Sequence, residues 1–259
     1  EAILIKGSRS FYFEKISKSL EEKAHRTVLE IDLNAMVHNL NYFRSKLNSE
    51  TKLMVMVKAL SYGSGTHEIA NILQYQRVDY LGVAFADEGV SLRQAGIKTP
   101  IVVMNPEQNS FDLMLEYDLE PEIYNLKILR QFAEAVSKAN KTEYPVHIKL
   151  DTGMHRLGFV EDDLSSMQNE LKQSNVHRVS SVFSHLAASD EEFHDAFTRK
   201  QIERFKKMSD EIAQTLGYKL NRHILNSAGI ERFPDAQFEM VRLGIGLYGI
   251  SATEQEKLE

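Results

Sequence analysis

Residues 52–65 read KLMVMVKALSYGSG, and a helical pattern begins at Thr66. The apolar run before Lys58 is typical of a buried strand, and Gly63 and Gly65 indicate a turn after it. A lysine at such a strand end often does no more than leave the core and reach water. It can also have its pKa lowered and form a Schiff base, while backbone N–H groups of the next turn hold a phosphate. The motif alone leaves both interpretations open.

From Lys52 onward, short apolar runs alternate with helical patterns. Most runs are apolar on both faces, as is typical of parallel strands covered by helices. Eight such strands predict an α/β fold, a (β/α)8 TIM-like barrel, although a doubly wound open sheet has the same alternation. No G-x-G-x-x-G follows an early strand, which disfavours a dinucleotide site. The predicted strands are Leu53–Val57, Tyr80–Phe85, Ile101–Met104, Glu120–Tyr124, Val146–Leu150, Val179–Phe183, His223–Leu225 and Phe238–Val241. The predicted helices are Thr66–Gln76, Asp87–Ala95, Ser110–Tyr117, Leu126–Ala139, Glu161–Lys172 and Phe197–Leu216.

The segments ahead of these strands follow another pattern. Residues Thr27–Leu33 alternate like a strand, and a helix follows with Asn34 as its expected N-cap. Further ahead, Ala2–Ile5 predicts a short strand and Phe13–Lys23 an amphipathic helix. We therefore predict a β-α extension over residues 1–26, a barrel over residues 27–251 and a charged tail over residues 252–259.

Composition narrows the class of protein. A net charge of −6 disfavours a nucleic-acid or anionic-membrane surface as the main binding site. No apolar run approaches the roughly 20 residues of a transmembrane helix. The chain has no cysteine, which excludes disulfides and thiolate metal sites, and we expect no metal. A cytoplasmic protein is the default expectation.

Polar residues gather where the predicted strands end, which is where a (β/α)8 barrel has its active site. They include two lysines, two arginines, a tyrosine and an Asn-Ser pair. A basic rim of this kind, in a chain of negative net charge, suits a small ligand that carries phosphate or carboxylate. The rim residues of interest are Lys58, Tyr62, Lys149, Arg156, His185, Asn226, Ser227, Arg242, Gly244 and Ile245.

Five stretches, in order along the chain, resemble the alanine racemases. Residues 57–65 (VKALSYGSG) are similar to the pyridoxal-phosphate lysine motif of that family, and residues 147–158 (HIKLDTGMHRLG) to its second signature. Three further stretches match: residues 183–190 (FSHLAASD), 226–227 (NS) and 241–249 (VRLGIGLYG). The similarity covers residues 27–251 and departs from the family motif at Leu60, Ser61 and Ser64. It implies the barrel of the racemase N-terminal type, without the β-rich C-terminal domain that follows it in the family.

The resemblance implies a role for each rim residue. Lys58 matches the lysine that holds pyridoxal phosphate as a Schiff base and acts as one of two racemisation bases. The cofactor-binding matches are Tyr62, Ser227, Gly244 and Ile245 at the phosphate, Arg242 at the pyridine nitrogen, His185 beside the ring, and Asn226 as an orienting residue. Arg156 matches a substrate-binding arginine. Lys149 matches a lysine that can be carbamylated and then orients that arginine.

The resemblance also implies a biological role. The family interconverts L- and D-alanine for peptidoglycan, and its full-length members form head-to-tail homodimers in which the C-terminal domain supplies the second base, a tyrosine. We therefore expect this chain to bind pyridoxal phosphate but to racemise alanine poorly alone. Residues 3–9 (ILIKGSR) are similar to the C-terminal end of Mur ligases, which predicts a bifunctional fusion.

Three alternatives remain within the same barrel type. They are a racemase for other amino acids, a basic amino-acid decarboxylase, and a non-enzymatic protein of cofactor homeostasis. Arg242 disfavours the decarboxylases, which have an acidic residue at the ring nitrogen.

Overall fold

The computed structural model describes residues 30–251 and Leu258, and a compact unit begins at Asp32. The strand predicted at Ala2–Ile5 and the helix predicted at Phe13–Lys23 lie outside the described residues. Within the described part, no helix has both the length and the apolar character needed to cross a membrane.

Eight parallel strands form one sheet that curls into a nearly closed barrel. Their order is β7-β6-β5-β4-β3-β2-β1-β8, so each strand lies beside its neighbours in sequence and β1 pairs with β8. Between β7 and β8, the backbone N–H of Arg242 donates to the carbonyl of Leu225 at 3.0 Å. The barrel prediction is confirmed, and the doubly wound sheet is excluded. The strands are β1 Lys52–Met56, β2 Tyr80–Val83, β3 Ile101–Val103, β4 Glu120–Ile123, β5 Tyr144–Lys149, β6 His177–Phe183, β7 Asn221–His223 and β8 Met240–Leu243.

Helices connect the strands, and all six predicted connecting helices are present within a few residues of their expected bounds. The helices are α1 Leu33–Ser45, α2 Lys58–Tyr62, α3 Thr66–Tyr75, α4 Ala86–Gln94, α5 Phe111–Glu116, α6 Leu126–Lys138, α7 Leu164–Gln173, α8 Asp195–Leu216 and α9 Ser227–Arg232. A 3-10 turn, Ile245–Tyr248, follows β8.

Helix α1 begins differently from the prediction. Its N-cap is Asp32, whose Oδ1 accepts from the backbone N–H groups of Asn34 (2.8 Å) and Ala35 (3.2 Å), so the Asn34 cap was wrong. The described residues 30–32 form no strand, and residues 27–29 lie outside the described part. Asn39 of α1 donates to the carbonyl of Leu247 at 3.2 Å, which anchors the helix to the turn after β8.

The last two strands are displaced from their predicted positions. β7 shares only His223 with the prediction, because its ladder to β6 begins at Asn221. β8 begins at Met240 rather than Phe238, since Phe238 has a φ of 48° and cannot continue a strand.

Lys58 begins helix α2 rather than leading directly into a glycine turn. Ala59, Ser61 and Tyr62 have φ angles of 53–56°, so this single turn is left-handed. The N–H of Ser61 donates to the carbonyl of Val57 at 3.1 Å, which ties the turn to the end of β1. This conformation is about 1–2 kcal/mol less favourable for each L-residue than the right-handed one. The strand-end lysine is therefore followed by strained backbone.

Candidate active site

A cavity of about 690 Å³ opens at the carboxyl ends of the strands, within the size range of small-molecule sites. Every residue predicted for the site lines this cavity. They are Lys58, Tyr62, Lys149, Arg156, His185, Asn226, Ser227, Arg242, Gly244 and Ile245. The structure thus brings together residues that are up to 187 positions apart in sequence, while their individual roles remain predictions.

The amine of Lys58 lies half-buried at this mouth. Burial lowers its pKa, and the positive charge of Arg156 lowers it further, while Glu88 acts in the opposite direction. A lysine with a lowered pKa carries a larger neutral fraction at neutral pH, and the neutral amine is the nucleophilic form. Lys58 therefore has the electrostatic setting of a reactive lysine.

Near Lys58, whose Nζ lies 5.9 Å from the centroid of the Tyr62 ring, polar groups surround a glycine. The Oγ of Ser227 accepts from the N–H groups of Gly244 (3.0 Å) and Gly246 (3.1 Å). A Cβ placed on Gly244 would lie 3.3 Å from the Oη of Tyr62. The rings of Tyr62 and Tyr248 pack against each other, with 4.7 Å between their centroids. These groups form a small cradle of hydroxyls and backbone amides, which we call the hydroxyl cradle.

Asn226 directly precedes Ser227 of the hydroxyl cradle, and its side chain makes hydrogen bonds within the protein. Its Oδ1 accepts from the N–H of Gly229 at 2.9 Å, which caps α9, and from the hydroxyl of Ser189 at 2.8 Å. These two bonds fix the start of α9, and with it the position of Ser227.

Arg242 is buried on β8 and makes several hydrogen bonds. Its Nη2 donates to the carbonyl of Ser184 at 2.6 Å and lies 3.4 Å from Nδ1 of His185. Burial lowers its pKa to about 10, and Glu122 acts in the opposite direction. The guanidinium therefore stays charged at neutral pH.

A directed chain of hydrogen bonds runs from Arg242 through the barrel interior. Nη1 of Arg242 donates to Nδ1 of His223 at 2.6 Å, so the other ring nitrogen of His223 carries its proton and donates to Ser181 Oγ at 3.0 Å. The hydroxyl of Ser181 then donates to Nδ1 of His147 at 2.6 Å. Nε2 of His147 donates to a carboxylate oxygen of Glu120 at 2.7 Å. We call this series the imidazole chain.

His185 lies at the cavity wall and is neutral at neutral pH. Burial lowers its pKa to about 3, and the positive charge of Arg242 lowers it further. A neutral imidazole can pack against an aromatic ligand without adding charge to an already basic site.

Arg156 projects from a tight loop after β5. Asp151 Oδ1 accepts from the backbone N–H groups of Gly153 (2.9 Å) and His155 (3.1 Å), which folds the loop back. Gly158 has a φ of +132°, and a Cβ there would lie 2.5 Å from the backbone nitrogen of Asp151. Only glycine permits this close return of the chain, so the loop that carries Arg156 depends on it.

The sequence analysis missed Glu122, which lines the same cavity from β4. Its Oε1 lies 2.9 Å from Nζ of Lys149, and the two side chains are 0% and 8% exposed. Apart from this ion pair, neither carboxylate oxygen has a hydrogen-bond partner. Burial raises the pKa of Glu122 to about 7, against the opposing effect of Lys149. The available signal was a pair of acidic residues, Glu120 and Glu122, inside a strand predicted to be covered by helices.

Comparison with known families decides what kind of barrel this is. The model of the family "Alanine racemase, N-terminal domain" matches residues 31–252. The chain belongs to this family. The prediction of an alanine racemase barrel is therefore confirmed.

Relatives of known identity support the family assignment. Alanine racemase 1 of Oceanobacillus iheyensis is 33% identical over 225 residues, which is 86% of this chain and 59% of the relative. The solved alanine racemase of Clostridium difficile 630 superposes with a TM-score of 0.80 at 32% identity, over 87% of this chain and 60% of that one. A Bartonella henselae alanine racemase structure with covalently bound pyridoxal phosphate gives a TM-score of 0.79 at 25% identity, over 88% of this chain and 63% of that one. This racemase-family chain thus spans about 60% of the length of the relatives it matches.

Proposed function

We propose that this chain is the cofactor-binding barrel of an enzyme that interconverts L-alanine and D-alanine with pyridoxal phosphate. Membership of the racemase family supports the reaction class. The single observation that carries the proposal is the position of Lys58, whose pKa is lowered by burial and by Arg156, at the mouth of a basic cavity.

The residues present fit pyridoxal phosphate. The hydroxyls of Tyr62 and Ser227 in the hydroxyl cradle can donate to a phosphate, while the N–H groups of Gly244 and Gly246 hold the Oγ of Ser227 in place. The absence of a Cβ at Gly244 leaves the space beside the Oη of Tyr62 open. We propose that Tyr62, Ser227, Gly244 and Ile245 hold the phosphate. His185 and Arg242 would then contact the ring, and Asn226 would keep Ser227 in place.

When bound, the cofactor supplies an electron sink for the charge that develops at the α-carbon of alanine. Lys58 would hold the cofactor covalently through Nζ until the amine of alanine displaces it, and Nζ, then a free neutral amine, would move a proton at that α-carbon on one face. Arg156 would bind the carboxylate of alanine. Arg242 would keep the pyridine nitrogen unprotonated, because a guanidinium donates a hydrogen bond there and keeps its own proton.

Racemisation needs a second proton-handling group on the opposite face. We propose that it is a tyrosine from a C-terminal domain, brought to this cavity by the partner subunit of a full-length homodimer. The relatives exceed this chain in length by a margin that accommodates such a domain. The 259-residue chain should therefore racemise alanine poorly. Turnover equal to that of a full-length enzyme would contradict this part of the proposal.

We further propose that the reaction occurs in the cytoplasm and supplies D-alanine for peptidoglycan. Residues 1–26 would be the end of a preceding Mur ligase domain, residues 27–251 the barrel, and residues 252–259 the start of the next domain. The resemblance of residues 3–9 to Mur ligases, directly before a racemase barrel, supports the fusion. The native full-length protein should then also ligate D-alanyl-D-alanine to a muramoyl tripeptide nucleotide; a native protein without a ligase domain would contradict it.

Chemical trapping tests the central claim. The chain is incubated with pyridoxal phosphate, reduced with borohydride and digested, and the modified peptide is identified by mass spectrometry. The label should lie on Lys58 and be lost in Lys58→Ala, while Lys52→Ala, which removes an exposed lysine at the start of β1, should leave it unchanged. A label elsewhere, or none, would exclude this cofactor site. If Lys58 is labelled, amino-acid racemisation assays on the full-length protein separate an alanine racemase from a broader racemase or a non-enzymatic cofactor protein.

A further inference from the structure

We propose that Glu122 is a positioning residue that keeps Lys149 as an uncarbamylated ammonium and supplies the buried negative charge of the cavity. The inference concerns the same cavity as the proposed function. It is tested without cofactor or substrate, so its failure and that of the proposed function can be told apart.

The strand register places the two side chains together. Glu122 of β4 pairs with His147 of β5, and Lys149 lies two residues further along β5. Residues two apart on a strand share a face, so Lys149 is the diagonal neighbour of Glu122. The resulting Nζ–Oε1 distance is 2.9 Å, and both side chains are buried. The pair is thus fixed by the barrel backbone.

The chemistry of carbamylation conflicts with this pair. A carbamate forms when the lone pair of a neutral amine bonds to the carbon of CO2, one C=O π bond opens to leave a negative oxygen, and the nitrogen releases one proton to solvent. An ammonium has no such lone pair, and a carboxylate at 2.9 Å stabilises the ammonium. A carbamate on Lys149 would also place a second negative group beside a buried carboxylate. Glu122 therefore favours the unmodified lysine.

Glu122 also supplies negative charge to a cavity that is otherwise mostly basic. Four basic side chains line the cavity, namely those of Lys58, Lys149, Arg156 and Arg242. Among the described lining residues, the acidic ones are Glu122, which is buried, and Asp190, which is exposed. Both Arg156 and Arg242 interact electrostatically with Glu122. Because burial raises the pKa of Glu122 to about 7, it is mostly ionised above that pH, and there its carboxylate provides the anion that a carbamate would otherwise contribute.

Carbon-13 NMR in ¹³C-bicarbonate tests the proposal on the purified 259-residue chain. Wild type should show no carbamate resonance. In Glu122→Gln, Lys149 loses its counterion in a basic cavity, its neutral form becomes more populated, and a carbamate resonance should grow toward one per chain. The resonance should vanish in the double variant Glu122→Gln/Lys149→Ala. Asp190→Asn, which removes the exposed acid of the same cavity, should behave like wild type.

Two results would overturn the proposal. One is a carbamate resonance in wild type that Lys149→Ala abolishes; this arm needs no Glu122 variant and decides the matter even if Glu122→Gln fails to fold. The other is a Glu122→Gln protein that is folded by circular dichroism and still shows no resonance, because Glu122 would then not determine the state of Lys149.

Discussion

Nη1 of Arg242 donates to Nδ1 of His223 at 2.6 Å, and this bond sets the direction of the next bond in the imidazole chain, from His223 to Ser181. A guanidinium can only donate, so His223 must accept there and donate from its other nitrogen. Burial lowers the pKa of His223 well below its usual range, and the positive charge of Arg242 lowers it further. The imidazole therefore stays neutral beside the cation, with its tautomer fixed.

The middle of the imidazole chain gives the first prediction. Ser181→Ala removes the hydroxyl that joins His147 and His223, and it leaves buried polar groups without their partner. We expect a loss of about 1–3 kcal/mol in the free energy of unfolding, measured by urea denaturation. Ser180→Ala, at a less buried position on the same strand, is the matched control and should change stability little. Equal effects of the two substitutions would argue against the chain.

The lowered pKa of His185 predicts an acid dependence of stability. Because its pKa is about 3 in the folded state and about 6.5 when unfolded, the unfolded chain binds more protons between these values. The stability that neutral His185 contributes to the folded state is fully present above pH 6.5 and is lost as the pH falls toward 3. Urea denaturation at a series of pH values should show that the free energy of unfolding falls less steeply with decreasing pH for His185→Gln than for wild type. His38→Gln, at an exposed position on α1, should keep the wild-type slope, and parallel curves for all three proteins would refute the prediction.

Gly158 gives a prediction about the loop that carries Arg156. Gly158→Ala should cost the strain of a positive φ plus a clash of its Cβ with the backbone of Asp151 at 2.5 Å. Gly96→Ala is the matched control, since Gly96 also has a positive φ, +87°, but has no atom within 4 Å of its Cβ position. We expect the free energy of unfolding, measured by thermal or urea denaturation, to fall by about 1–2 kcal/mol in Gly96→Ala and by clearly more in Gly158→Ala. A Gly158→Ala protein as stable as Gly96→Ala would show that the loop can move away.

The hydroxyl cradle gives a prediction about cofactor affinity. Tyr62→Phe removes the Oη that lies beside Gly244, and a hydrogen bond to a charged phosphate contributes about 1.5–3 kcal/mol. The dissociation constant for pyridoxal phosphate should therefore rise about tenfold to a hundredfold, measured by absorbance titration of the cofactor-free chain. Tyr75→Phe, at a position 84% exposed, should bind like wild type. An unchanged constant for Tyr62→Phe would remove Tyr62 from the phosphate site.

The sequence predicted the parallel strands well because they are apolar on both faces and alternate with helices, while the barrel itself was favoured by the count of eight strands and by the family resemblance. The cavity could be predicted for a related reason. Once the strand ends are known, residues such as Lys58, Ser227 and Arg242 must meet at one end of a parallel barrel. This prediction needs only the positions of the strand ends in the sequence, and the strand register is not required for it.

The interior polar groups could not be predicted in the same way. Glu122 contacts Lys149 only because β4 and β5 pair in one register, and a shift by one residue would turn Glu122 to the other face. Ser181 and His223 likewise lie inside strands whose pairing the sequence does not give. The start of β8 depended on the left-handed backbone of Phe238, which no apolar pattern signals.

The imidazole chain also polarises the barrel along its axis. It has a permanent cation, Arg242, at the mouth and a carboxylate, Glu120, at the amino end of β4, and each bond between them points the same way. The N–H and O–H bonds of the chain point their positive ends toward Glu120, so the positive pole at the solvent opening comes from the guanidinium of Arg242 and the other basic side chains that line the cavity. An incoming anion would be drawn toward the mouth before touching any side chain, and added salt should slow its capture. The barrel would thus guide its ligand by long-range attraction as well as hold it by contact.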